Sequence, residues 1–322
     1  MNLRSILASL ALAVLAGAAA TPSQAYPDKP IRLIIPFGVG GNNDIVGREI
    51  ATQLSGILGE QVLPENHGGA GGVIGTELAS HAKPDGYTVL LTSSAFSIGP
   101  ALYKLPYDPD TAFEPVGKVL DSTSALIVHK TVPADNVQEL IALMKQKPGE
   151  LIATATGVGG LGDLSAELFK AKAGVDFKIV MFKGGGEMIA DMLGGHSQLF
   201  FTSLVQALPN LQSGDTKILG TAGAKRSALM PDVPTIIEQG VEGYQVANWW
   251  GLLVPAGTPK DAVDALDAAV KKMVESEDFI KWAHDQALDV DYMPAGAFSD
   301  FLAAEKVKWQ ETVDIAGIKL PQ

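Results

Sequence analysis

The sequence predicts an α/β protein made of two lobes. Two observations carry that expectation. Apolar strand-like runs alternate with amphipathic helical segments, and the alternation starts again near residue 123. The chain also has 322 residues, a length that suits two domains better than one. IRLIIPF (31–37) is an unbroken run of branched and apolar residues, as expected of a buried parallel strand. NNDIVGREIATQLSGILG then reads as a helix, with Val46, Ile50, Leu54, Ile57 and Leu58 on one face. Asn43 or Asp44 is placed to cap its start, and Gly59 to end it. QVLPEN reads as a short strand, and HGGAGGVIG as a glycine-rich loop leading into a helix. Pro84-Asp85-Gly86 is a turn, because Pro presets φ and Gly permits φ > 0. TVLLTSS (88–94) is the next strand.

The second half repeats this grammar. ALIVHK, LIATAT, FKIVMF, QLFFTS and KILGTAG are strand candidates. VQELIALMKQKPG, DLSAELFKAKAG, GGEMIADMLGG and SLVQALPNL are helical candidates between them. ANWWGLLVPAG reads as a strand returning to the first lobe, and three helical stretches follow it. Thr258-Pro259 is expected to open the first as N-cap and N1, Ser276 to cap the second, and the third to start near Ala297. The expected division is a first lobe of 26–122 plus 247–322 and a second lobe of 123–246, with two crossings suited to a hinge.

Residues 1–25 read as a cleaved secretory signal peptide. Arg4 precedes an apolar run from Ile6 to Ala20, and Ser23 and Ala25 are the small residues a signal peptidase requires. The formal charge is −12, and removing the leader with its single Arg4 makes it −13. No basic cluster and no second long apolar run occur, so nucleic acid is a poor partner and the mature chain is not expected to enter a membrane. The chain has no cysteine, so an exported protein of this sequence relies on its core rather than on disulfides. We read a periplasmic monomer.

Three strand ends carry glycine-rich turns that open helices: PFGVGGNND (36–44), TGVGGLGD (156–163) and FKGGGEM (182–188). Such turns leave backbone N–H groups unpaired where the helix dipole is positive, and so receive carboxylate or phosphate. Gly157, Gly159 and Gly162 also match a dinucleotide fingerprint. The acidic residue expected after the next strand is missing, and Lys183 and three glycines stand there instead. We therefore expect no cofactor. The five histidines have no metal-ligand spacing, and there is no G-x-S-x-G, so neither a metal site nor a catalytic constellation is indicated. Asp44 and Asp163 read as N-caps. Trp249 and Trp250 precede a glycine in the returning strand, and Trp249 is a candidate for stacking on a ligand.

The segments YPDKPIRLIIPFGVGGNNDIVGR, ENHGGAGGVIGTELA, KPDGYTVLLTSS, FKGGGEMIADMLGGH and WWGLLVPAGTPKD, in this order, resemble the Bug solute receptors. These are the extracytoplasmic components of tripartite tricarboxylate transporters. The resemblance runs over nearly all of the mature chain. It implies a two-lobed periplasmic binding protein of type II-like fold, with two crossing strands as hinge. It further implies a small organic carboxylate in the cleft and delivery to membrane transporter subunits. The implied ligand-facing residues of the first lobe are Phe37, Gly38, Val39, Gly40, Gly41 and Asn42, with Thr92, Ser93 and Ser94. Those of the second lobe are Thr156, Gly157, Gly159, Gly160, Lys183, Gly184, Gly185 and Thr202.

The chain departs from the family at Gly160-Leu161-Gly162, where relatives often carry hydroxyls, at Thr202, where they often carry Asp, and at His67, where they often carry Arg. Few polar side chains and one candidate cation point to one firmly held carboxylate on an apolar or aromatic body. An exported enzyme using the same cleft, or a receptor feeding a signalling sensor, is the alternative reading. Mass spectrometry of exported protein should show a chain starting at Tyr26; an intact Met1 would contradict the leader.

Overall fold

The computed structural model describes residues 26–318 except 41, 157, 183, 184, 205, 206, 208–210, 212 and 228. The leader, Gly41, Gly157, Lys183 and Gly184 thus lie outside the described residues, as does part of the helix expected over SLVQALPNL.

β1 (Ile31–Ile35) lies between β2 (Val62–Asn66) and β3 (Thr88–Ser93), parallel to both. The helix α1 (Asn42–Leu58) follows β1, a short 3-10 turn (Ala70–Gly72) and α2 (Val73–Ser80) follow β2, and α3 (Ser94–Leu102) follows β3. β1 is almost wholly buried because helices cover both faces of a parallel sheet. Val46, Ile50 and Leu54 form the buried face of α1, as their spacing predicts. Gly59, at φ +76, ends the helix.

β4 (Phe113–His129) is a single strand of 17 residues. Its first half pairs antiparallel with β9 (Ala247–Pro255) and β10 (Asp289–Pro294). Its second half pairs antiparallel with β7 (Leu199–Ser203) and β8 (Thr216–Thr221). Beyond β7 lie β5 (Ile152–Thr156) and β6 (Lys178–Phe182), parallel to one another, with β7 parallel to β5. α4 (Val137–Gln146), α5 (Leu161–Ala173) and α6 (Gly185–Leu193) belong to this second half. β9 runs antiparallel to β3 and returns the chain to the first sheet.

After β9 come α7 (Lys260–Val274), α8 (Glu277–Asp285), β10 and α9 (Ala295–Ala316). Ser276 caps α8 through Phe279 N–H, as expected. Thr258 does not cap α7. That helix starts at Lys260 with Pro259 in the cap position, and the Thr258 hydroxyl donates to the Pro255 carbonyl at 2.7 Å.

Three elements differ from the sequence reading. The strand expected at 125–130 begins 12 residues earlier, at Phe113. α3 and β10 were not anticipated. α9 also serves both halves: Phe298 packs with Trp249 on the first sheet, whereas Trp309 and Val313 join the core of the second half with Phe169, Phe201 and Tyr244.

β4 carries a buried lysine. Lys118 is 1% exposed and its ammonium lies 2.6 Å from both Asp121 and Asp291. Burial pushes the Asp121 carboxyl from 3.8 up to about 7, against the charge of Lys118. A folded value above the unfolded one means that the folded state keeps this proton longer. Stability from Asp121 is therefore full below 3.8 and declines as pH rises toward about 7. Urea unfolding of Asp121→Asn between pH 4 and 7 should show a flatter decline than the parent; parallel curves would refute this titration.

Candidate functional site

Strand directions bring two sets of helix starts face to face. β3 and β4 run the same way, since each is antiparallel to β9, and β7 runs against β4. The parallel strands of the first sheet therefore point toward the second, and those of the second point back. Ser93, the last residue of β3, lies level with Leu120 through Trp250. Ser203, the last residue of β7, pairs with Ser124. Four residues of extended chain separate these levels, roughly 13 Å. That gap is the width of a small organic molecule, and ligands of open α/β sheets bind beyond the carboxyl ends of their strands.

The first lip is the turn after β1. Gly40 has φ +84, and its N–H donates to Asp44 Oδ2 at 2.8 Å. Asp44 lies inside the first turn of α1 and reaches back, instead of preceding the helix as a simple N-cap. Arg48 Nε sits 2.8 Å from Asp44 Oδ1, and Asn66 Nδ2 donates to the same oxygen at 2.9 Å. The Arg48 hydrogen bond is the main reason the Asp44 carboxyl falls to about 2. Asn66 also donates to the Phe37 carbonyl at 3.1 Å, tying the turn to β2. Trp250 Nε1 donates to Asn43 Oδ1 at 2.6 Å, tying it to β9.

The second lip repeats the device with the same spacing. Gly159 has φ +75 and donates to Asp163 Oδ2 at 2.8 Å, within the first turn of α5. Here no arginine assists: burial dominates and raises the Asp163 carboxyl above its ordinary value. The sequence reading gave the Gly40 and Gly159 N–H groups to a ligand, yet both already have intramolecular acceptors. The donors left for an anion are the first-turn N–H groups of the two helices, which have no intrahelical carbonyl. Among the described residues, no side chain caps the start of α5 at Gly160.

Between the lips, β3 runs directly into α3. Thr92, Ser93 and Ser94 are buried, and the Thr92 hydroxyl has no hydrogen-bond partner among the described residues. Ser94 Oγ donates to Asn248 Oδ1 at 2.6 Å. Asn248 was not foreseen; its place beside Trp249 and Trp250 in a returning strand was the available signal. Phe37, Thr92 and Ser93 line a cavity of about 10 Å³, space for about one water. Val39 is 74% exposed at the tip of the first turn, and Val158 is exposed at the tip of the second. Thr156 ends β5, Gly185 begins α6, and Thr202 is a buried residue near the end of β7. His67 lies outside this group, 3.4 Å from Glu65, which Arg32 also binds.

Trp249 requires a correction. Its ring is 1% exposed and packs edge-on against Phe298 and Phe301, and its Nε1 donates to Glu305 at 3.2 Å. Side chains alternate along a strand, so Trp249 turns away from the face of β9 that carries Asn248 and Trp250. It is a packing residue and not a ligand platform. A second cavity, about 920 Å³, lies on the Trp249 face, away from the glycine turns. We place the candidate site at the turns nevertheless, because the starts of α1 and α5, whose first-turn N–H groups suit an anion, follow strands that point toward one another.

Two facing sets of strand ends, joined by crossing strands, define a periplasmic binding protein fold. Solved structures share it. R. palustris Rpa4515, described with adipate, is 30% identical, with 91% of this chain and 99% of that one covered and a TM-score of 0.77. MatC (Rpa3494) from Rhodopseudomonas palustris, with bound malate, is 29% identical, with 89% and 100% covered and a TM-score of 0.73. The profile of the tripartite tricarboxylate transporter family receptor matches residues 46–318. Protein BugT of Bordetella pertussis is 30% identical over 325 residues, 99% of this chain and 100% of that protein. The chain belongs to the tripartite tricarboxylate transporter receptor family.

The two glycines should respond unequally to a methyl group. A Cβ on Gly40 meets nothing within 4 Å among the described residues, so Gly40→Ala carries only its left-handed backbone, about 1–2 kcal/mol. A Cβ on Gly159 adds a clash with Leu102 Cδ1 at 2.6 Å. Chemical denaturation should rank Gly159→Ala as the less stable; equal losses would contradict the packing. Asp163→Ala should cost about 1–3 kcal/mol by orphaning the Gly159 N–H. Asp163→Asn, which keeps an acceptor, should lose clearly less in the same assay.

Proposed function

We propose that this protein is an extracytoplasmic receptor, exported with residues 1–25 removed. It captures a small organic carboxylate between two lobes, 26–122 plus 247–322 and 123–246, and presents it to a membrane transporter. The observation that carries the reading is the repeated glycine–aspartate turn, one on each side of a gap sized for a small acid. Each turn preorganises a helix start whose N–H groups need no side-chain charge to receive a carboxylate. The binding group is Phe37 to Gly40 and Asn42, Thr92 to Ser94, Thr156, Gly159, Gly160, Gly185 and Thr202. Adipate in one relative and malate in another support a carboxylate as cargo. Membership of a family of receptors supports capture without chemistry. Among the described residues, no helix is long and apolar enough to cross a membrane, which suits a separate membrane partner.

The exposed valines at both lips favour a ligand with an apolar body. A citrate-like acid would bring three charges, each needing donors to offset its burial. Calorimetry should therefore give tighter binding for adipate or an aromatic monocarboxylate than for citrate, and small-angle scattering should show compaction on binding. Tight citrate binding alone would overturn the ligand class. Turnover of any bound acid would favour an enzyme instead.

A further inference from the structure

The hinge has two faces. On β9, Asn248 and Trp250 turn to the starts of α3 and α1, whereas Ala247 and Trp249 line the crevice of about 920 Å³. One wall of the crevice belongs to the first sheet and carries Asp289 and Asp291 of β10. The opposite wall is the segment after β8 and carries Lys225 and Arg226. Thr123 and Ala247, where β4 and β9 cross between the halves, lie between these walls.

The walls already attract one another. Asp289 Oδ2 accepts from Thr123 Oγ1 at 3.1 Å and, across the crevice, from Ser227 Oγ at 3.5 Å. Burial pushes the Asp291 carboxyl up, but Lys118 and, more weakly, the charge of Lys225 hold it below its ordinary value. Arg226 is committed to its own wall through Glu238 at 2.8 Å and the Pro231 carbonyl at 3.1 Å. Lys225 is exposed, and its attraction to Asp291 acts across open space. It is therefore an adjustable charge of this crevice.

We propose that Lys225 is an affinity-setting residue that never touches the ligand. A rotation about β4 and β9 that brings the glycine turns together must separate the crevice walls. Attraction of Lys225 for Asp291 across the crevice thus opposes closure, and the ligand must overcome it. This inference rests on the two-lobed receptor reading.

The absence of cysteine allows clean labelling. Thr52→Cys on α1 and Lys172→Cys on α5, both exposed, place one spin label on each half. Without ligand, Lys225→Glu should shift the distribution of label distances away from that of the parent, whereas Lys225→Arg should reproduce the parent. With adipate or malate as probe, Lys225→Glu should tighten binding, roughly two- to five-fold for a solvent-exposed pair. Superimposable distance distributions for Lys225→Glu and the parent, or weaker binding by Lys225→Glu, would overturn the proposal. If the parent binds no carboxylate, the capture reading fails, and the ligand-free distances still decide the role of Lys225.

Discussion

Everything in this molecule depends on the continuity of β4. Seventeen residues of one strand serve as ladder for two sheets, four partner strands in all. Because β9 reverses against it and β7 reverses again, the two parallel sets are forced to point at each other. The opposed helix starts follow from that, and so does the gap between them. A break in β4 would leave β9 and α9 as the remaining ties between the two sets of strand ends.

The candidate site is built mainly from main chain. Glycine supplies the left-handed backbone at the head of each turn, and an aspartate four residues later locks it. The two locks are electrostatically unlike. Arginine and asparagine hold Asp44 in its charged form, whereas burial dominates at Asp163 and outweighs the Gly159 N–H hydrogen bond and the more distant charge of Lys170. The first turn is thereby tied to three elements at once, through Arg48, Asn66 and Asn43. The second leans on packing, with Leu102 lying where a Gly159 side chain would go.

Much of this was legible in the sequence, and the parts that were not share a cause. The strands at 31–35 and 88–93 read directly because each is a local apolar run. The first half of β4, FEPVGKVLDS, did not, because it contains Pro, Gly, Lys and Asp. Lys118 sits in a buried strand with Asp121 nearby in sequence and Asp291, far away in sequence, returning to pair with it. DVDYMP is a strand for the same non-local reason. The glycine turns were legible as anion-ready places, since their chemistry is local. Which N–H groups remained available was not, because that depends on where the Asp44 and Asp163 carboxylates bend. Trp249 and Trp250 could not be told apart either; the register of β9 decides which of two adjacent rings faces which layer.

The last helix has an implication for modularity. α9 begins on the first sheet, yet Trp309 and Val313 complete the core of the other half, and Glu305 accepts from both Trp249 and Trp309. The second half is therefore not a transplantable unit. Excised as 123–246 it would lack the indole that plugs its interior, and a chain emerging from the ribosome must finish its C-terminal helix before either half is complete.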